Sequence, residues 1–384
     1  MVDRDTLAIP CAASPDRVDI YSGVARLSQT LWASRWRAQP LQQDVVVLIV
    51  HPTSNFLGHY ALRPLAELGV DAVGLTTRFI GNDTSLTMED CVVDVGAAIR
   101  HLRDLGYRRV VLVGNSGGGG LAALYQSQAE RPTITATPAG DPPDLTAADL
   151  PPADALVMAM AHPGRATVFT EYLDPAIVDE ARPFDRDPDL DMFDPRNGPA
   201  YSREFVVRYR EAQLARNRRI TRWVRERLEW LRTESPTTPD GMRIDNLPFV
   251  VHGTAADPRF LDLTLDPSDR QATTLWGHPW VANYQPATLG HLTSLRAWLS
   301  QWSVDESRAN APAELPHVSA PVQVVYGSAD TAAFPSHASA MFDAITHDRR
   351  ELTVIKGADH YFRGQPELAR EMCEHIVRWA RETG

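Results

Sequence analysis

The chain has 384 residues, 43% of them hydrophobic and 23% charged, a globular composition long enough for one large domain with an insertion. A formal net charge of -11 argues against nucleic acid as the main partner, because phosphate binding needs an excess of Lys and Arg. The three cysteines, Cys11, Cys91 and Cys373, lie far apart without a CxxC pair, which excludes a disulfide framework or zinc knuckle and suits a reducing compartment.

In chain order, residues 1–17 lack the continuous apolar core of a signal peptide. No run of about 18 apolar residues follows anywhere, so no membrane span is expected and the expected location is cytoplasmic. Residues 45–50, Val-Val-Val-Leu-Ile-Val, are short, unbroken and β-branched, which predicts a strand buried on both faces. A helix is predicted through 60–68, a strand over 72–77, and a helix over 87–105 that Gly106 stops and on which Cys91 is a packing residue. A strand at 109–113 and a helix at 117–128 come next, then strands at 154–161, 321–326 and 351–355, and a closing amphipathic helix over 366–381. Strand alternating with helix at this spacing predicts an α/β fold with a mostly parallel central sheet flanked by helices.

The rhythm breaks between 163 and 317, which reads as one large, mainly helical cap or lid insertion in a core made of 1–162 and 318–384. Within it, 183–199 is rich in Pro and Asp. The alternating acids from Asp185 to Asp191 lack the central glycine and distal glutamate of an EF-hand and read as a solvated loop. Residues 201–232 carry ten arginines against four glutamates along a helical apolar stripe of Phe205, Tyr209, Ile220, Val224 and Leu228. The arginines are expected to be solvated or paired with acids, with attraction of an anionic substrate as the alternative. Trp276, Trp280, Tyr284, Trp298 and Trp302 supply cap core, with some left for a pocket wall or a subunit contact, so a homodimer stays open.

The chemistry sits in Val111-Leu112-Val113-Gly114-Asn115-Ser116-Gly117-Gly118-Gly119-Gly120, a G-x-S-x-G directly after a predicted strand and before a predicted helix. A serine on so tight a turn is held in strained backbone, and small neighbours prevent clashes. Its hydroxyl then projects at the carboxyl edge of the sheet, beside the free N–H groups of the helix N-terminus. Gly118-x-Gly120-x-x-Ala123 imitates a dinucleotide-binding loop, but its glycines fall inside the predicted helix. A serine hydroxyl needs a base. Asp330, just past the 321–326 strand, and His360, just past the last strand, stand at the same edge. Asp359 adjoins His360 and points elsewhere, as sequence neighbours usually do, so Asp330 is the favoured orienting acid.

Residues 45–162 and 318–384 resemble the α/β-hydrolase superfamily of serine esterases and lipases, and Ser116, Asp330 and His360 match its triad positions. The resemblance implies hydrolysis without fixing a substrate, and it requires no cofactor. An oxyanion hole needs two backbone donors. Gly117 is expected to give one. The other is expected from the loop after 45–50, where the superfamily often has His-Gly and this chain has His51-Pro52. Pro52 cannot donate, so Thr53 is the expected second donor, with Ser54 as the alternative. Phe56 and His162 are expected near the substrate, although packing also explains His51 and His162. No metal is expected, since His101, His252, His278, His291 and His317 lack ligand spacing.

The expected activity is cleavage of a small-molecule carboxylic ester through an acyl-enzyme. Thioester, amide or carbon–carbon hydrolysis on the same fold is the alternative, and a non-catalytic ligand-binding protein is the reading from another class.

Overall fold

Short apolar runs that cannot satisfy their backbone groups alone must pair, and here they pair into one sheet. The computed structural model describes residues 2–11, 20–21, 24–25, 30–39, 44–286 and 288–383. Of the N-terminal stretch 1–17, residues 1 and 12–17 lie outside the described residues. The sheet strands are β1 (Asp3–Pro10), β2 (Thr30–Arg37), β3 (Val45–Val50), β4 (Asp71–Leu75), β5 (Arg109–Asn115), β6 (Ala155–Ala159), β7 (Val322–Gly327) and β8 (Arg350–Ile355). Their spatial order is β1-β2-β4-β3-β5-β6-β7-β8. From β3 to β8 neighbours run parallel, while β2 is antiparallel to both β1 and β4. Every residue of β3, β4 and β6 is buried, as strands covered on both faces require.

The longer helices are α1 (Leu62–Glu67), α2 (Met88–Asp104), α3 (Gly118–Glu130), α4 (Arg165–Tyr172), α5 (Arg203–Thr233), α6 (Pro335–Ala344) and α7 (Pro366–Glu382). Each strand and helix predicted in the core from residue 45 onward is found, with ends shifted by a few residues. Strands β1 and β2 and helix α6 were not predicted. Strands β1 and β2 bury only Leu7 and Ile9 on one and Leu31, Ala33 and Ser34 on the other, so charged residues obscure the alternation. Their register places Asp5 opposite Arg35, which forms a paired ion contact at 3.0 and 2.6 Å. Helix α6 is short and starts at Pro335.

One apolar layer joins Val47 and Ile49 of β3, Val111 and Val113 of β5, Leu62 and Leu65 of α1, and Met372, Ile376 and Val377 of α7. The stripe read on the closing helix thus faces the sheet, and Cys373 is buried within it. Cys91 is likewise buried on α2. Among the described residues no helix is long and apolar enough to cross a membrane.

The chain divides into two compact units. The first is Met1–Asn82, Met88–Gly164 and Ala309–Gly384 and holds the sheet; the second is Asp83–Thr87 with Arg165–Arg308. Within the second unit, Asp83 is tied in by Arg165 at 2.6 Å and by Gln301 donating to its carbonyl at 2.7 Å. Its spine is α5, capped by Ser202 Oγ accepting from the Phe205 N–H at 3.1 Å. The buried face carries Phe205, Tyr209, Ile220 and Val224, together with Arg216 at 1% exposure. A buried guanidinium is tolerable only when its donors are used. Arg216 donates twice to Glu180, at 2.9 and 2.6 Å, and to the carbonyls of Asp174 and His252 at 2.9 and 2.7 Å.

Other arginines of α5 also meet acids: Arg210 with Asp257, Arg218 with Asp305 and Arg225 with Glu306. Trp298 and Trp302 are fully buried around Phe169, whereas Trp280 stays 43% exposed. In the Asp185–Asp191 loop Asp185 and Asp189 are exposed, as a solvated loop has them, while Arg186 is bonded to Asp191 and to the buried Asp174.

Gly74 of β4 tests how tightly the first unit is packed. A Cβ there would drive into the Phe56 carbonyl, while one on Gly58 would meet nothing. Gly74→Ala is expected to destabilise by about 1–3 kcal/mol or more, and Gly58→Ala to stay within about 1 kcal/mol, as measured by urea denaturation midpoints.

Candidate active site

Strand β5 ends at Asn115, and the next residue, Ser116, adopts φ 54°, a left-handed conformation that costs a non-glycine residue energy. The neighbouring glycines are there because nothing larger fits. A Cβ on Gly114 would strike the carbonyl of Gly118, one on Gly118 would strike the carbonyl of Val50, and one on Gly119 would lie 2.9 Å from Ala161 Cβ. Removing those side chains lets α3 start directly against the ends of β3 and β5. The turn is pinned by backbone bonds: the Ser116 N–H donates to Ala159, and the N–H groups of Gly119 and His162 donate to the Ser116 carbonyl.

The three residues expected to act together converge at this edge. His360 Nε2 lies 2.9 Å from Ser116 Oγ, and His360 Nδ1 lies 2.7 Å from Asp330 Oδ2. Asp330 is 1% and His360 3% exposed, so the pair is shielded from water. The second carboxylate oxygen, Oδ1, accepts the N–H groups of Ala332 and Ala333 at 2.7 and 2.9 Å. These contacts fix the carboxylate and hence the plane of the imidazole. With Nδ1–H donated to Asp330, the Nε2 lone pair is left for the serine proton. Asp359, the competing acid, instead accepts the N–H groups of Tyr361 and Arg363 and closes its own turn.

Gly117 caps α3 with φ -61° and ψ -10°, so its N–H is among the helix donors lacking an intrahelical acceptor. Thr53 departs from expectation. The N–H groups of Thr53 and Ser54 both donate to His51 Nδ1, at 3.1 and 2.9 Å. The cause is local: Pro52 fixes the turn, and the imidazole accepts from the residues two and three positions on, as an Asx side chain does. Both donors considered for the second oxyanion position are therefore turned to the ring of His51. The loop is further held by Thr77 Oγ1 donating to the Pro52 carbonyl at 2.5 Å and by Gly81 N–H donating to the Thr53 carbonyl at 2.8 Å.

Phe56 also departs from expectation. It belongs to the apolar core packed on α1 and α7, with its ring 4.5 Å from that of His59 and 5.6 Å from that of His51. It is drawn there because its carbonyl closes over Gly74, where any side chain would intrude. The His162 N–H donates to the Ser116 carbonyl, and the residue is buried.

Two residues went unnoticed in the sequence. Asn115 Nδ2 donates to the Ala159 carbonyl and to Tyr60 Oη, both at 2.9 Å, and so braces the turn from below. Asn115 occupies the variable position of G-x-S-x-G, and a buried amide there is a signal the motif itself does not carry. Burial raises the Tyr60 hydroxyl well above its ordinary range and pushes the neighbouring His59 down to about 4. Among the described residues no three His, Cys, Asp or Glu side chains are grouped to hold a metal ion.

No protein-family profile and no curated protein sequence matches the chain. Solved structures do. An alpha/beta hydrolase, GrgF from Penicillium sp. sh18, is 12% identical over 99% of this chain and 98% of its own, with a TM-score of 0.51. DcsB, solved in complex with its substrate analogue, is 12% identical over 100% of both chains, with a TM-score of 0.50. At such identity the likeness concerns the fold.

The depressed His59 has a measurable consequence. Between pH 6.5 and about 4 the unfolded chain binds a proton that the folded one refuses, so stability falls as pH falls through that window. Thermal melts across it should show a loss of about 2 kcal/mol, reduced because the residue is only half-buried. His59→Asn, which keeps an acceptor for the Ala61 N–H, should flatten that slope.

Proposed function

The chain has the α/β-hydrolase fold, and from that premise we propose that it is a serine hydrolase that cleaves a carboxylic ester through an acyl-enzyme. One observation carries the reading: an unbroken line of hydrogen bonds from Asp330 Oδ2 through both nitrogens of His360 to Ser116 Oγ. Fold likeness alone would leave open a ligand-binding protein, but a buried carboxylate and imidazole aligned on a strained serine serve no packing purpose.

In the proposed cycle Ser116 Oγ attacks the ester carbonyl while His360 Nε2 takes its proton. The carbonyl oxygen becomes an oxyanion beside the Gly117 N–H, and Asp330 steadies the imidazolium. The carbon–alkoxide bond then breaks, and His360 passes its proton to the departing alcohol. Water enters, loses a proton to His360 and attacks the acyl carbon, which releases the acid and restores the Ser116 hydroxyl. Residues 163–317 are read as a cap insertion. The ester is preferred over a coenzyme A thioester because Arg210, Arg216, Arg218, Arg219 and Arg225 of α5 are already paired with Glu180, Asp257, Asp305 and Glu306, which reduces the pull of this helix on an anion.

Hydrolysis of p-nitrophenyl esters should fall by roughly 10³–10⁶ in Ser116→Ala and by about 10³–10⁴ in Asp330→Asn, with far-UV spectra unchanged. A fluorophosphonate should add its mass at Ser116. Full activity of a clean Ser116→Ala preparation refutes the mechanism, and a chain inert to both ester and fluorophosphonate points to the non-catalytic reading.

A further inference from the structure

The second unit contains a cleft of about 520 Å3 that the proposed ester cleavage does not use. It lies between one face of α5, the strand Pro248–Val250 and the segment 178–181. Ile220 and Val251, both buried, form its floor. Its walls are Trp223, Val250 and Val178, which stand 39%, 44% and 51% exposed. Single exposed apolar side chains need no explanation, but three converging on one concave site do. Trp223 also meets Phe249 edge to face, with ring centroids 5.1 Å apart, so a third ring can stack into an aromatic corner already in place.

The charge at the rim sets what can enter. Arg219 donates to the Ile177 carbonyl at 3.0 Å and to Glu180 at 3.2 Å. Glu180 is shared with the buried Arg216, and Asp179 pairs with Arg182 at 3.0 Å. Each charged group thus has an opposite partner, and an ionic ligand would have to break one of those contacts. The volume falls in the range of about 300–1,000 Å3 usual for small-molecule sites. Its ten lining residues fall short of the roughly 20–30 a side that a protein partner engages.

We propose that this cleft is a binding site for a small, uncharged, apolar molecule that carries an aromatic ring. The ring would sit on Trp223 and Phe249, with Val178 and Val250 closing over its edge.

The probe is N-phenyl-1-naphthylamine, a neutral ring compound whose fluorescence rises in apolar surroundings. The full chain, with Ser116 blocked by fluorophosphonate or replaced as Ser116→Ala, should bind it saturably and at one site. Val178→Asp and Val250→Lys each put a charge at an exposed wall position, outside the packed core. Either should weaken uptake at least tenfold while ester hydrolysis by the unblocked chain stays unchanged, so failure here is separable from failure of the hydrolase reading. The related anion 1-anilinonaphthalene-8-sulfonate should bind at least tenfold more weakly than the neutral probe. Uptake that is absent, that vanishes when Ser116 is blocked, or that survives both wall substitutions overturns the site. Equal affinity for the anion overturns the uncharged ligand class.

Discussion

Everything at the active edge depends on how closely α3 approaches the ends of β3 and β5. The carbonyls of Val50 and Gly118 lie where the Cβ atoms of residues 118 and 114 would be, so only glycine is allowed at either position. That proximity forces the chain to reverse within one residue, and Ser116 absorbs the reversal at φ 54°. The strain is supported by the pairing of β5 with β6 and by bonds that hold Ser116 from both of its backbone polar groups. A looser turn would lower the hydroxyl toward the sheet and out of reach of an imidazole carried on the loop after β8.

The same edge explains how residues more than two hundred positions apart meet. Parallel strands end on one side, so every loop after a strand opens there. Ser116 follows β5, Asp330 follows β7 and His360 follows β8, and the β7 and β8 loops are joined by the Gly357 N–H donating to Ser328 Oγ at 2.7 Å. The two strands are themselves in parallel register from Val322 to Gly327. Orientation of the carboxylate is thus set by the β7 loop and orientation of the ring by the β8 loop, and the Ala329 N–H donating to the Ala358 carbonyl at 3.0 Å ties the two loops a second time.

Strands buried on both faces were legible in the sequence because their apolar runs are unbroken, and the elbow because its glycines are packing requirements that few other sequences satisfy. Strands β1 and β2 were not, since Asp3, Arg4 and Asp5 on one and Arg35 and Arg37 on the other break up their apolar residues. Side-chain aim was the other gap. Composition places Phe56 and Thr53 in the right loop, yet the space above Gly74 takes the Phe56 backbone, and an acceptor two residues back takes the Thr53 N–H. The arginines of α5 were expected to be solvated or paired with acids, but their sequence does not say which acids. The acids that pair with Arg210, Arg216, Arg218, Arg219 and Arg225 lie between 36 and 87 positions away from them, at Glu180, Asp257, Asp305 and Glu306, and only folding brings them together.

The His-Pro step after β3 has the strongest bearing on chemistry. A glycine in place of Pro52 would leave a backbone free to turn and an extra N–H. Proline removes both, and the loop answers by folding two successive N–H groups onto the ring of His51. An imidazole nitrogen that accepts two bonds must carry its lone pair, so the loop geometry requires His51 unprotonated at Nδ1. A proton there would turn an acceptor into a donor facing donors and would release Thr53 and Ser54 together. The identity of a single residue after β3 therefore decides whether that loop presents its N–H groups outward or keeps them for itself.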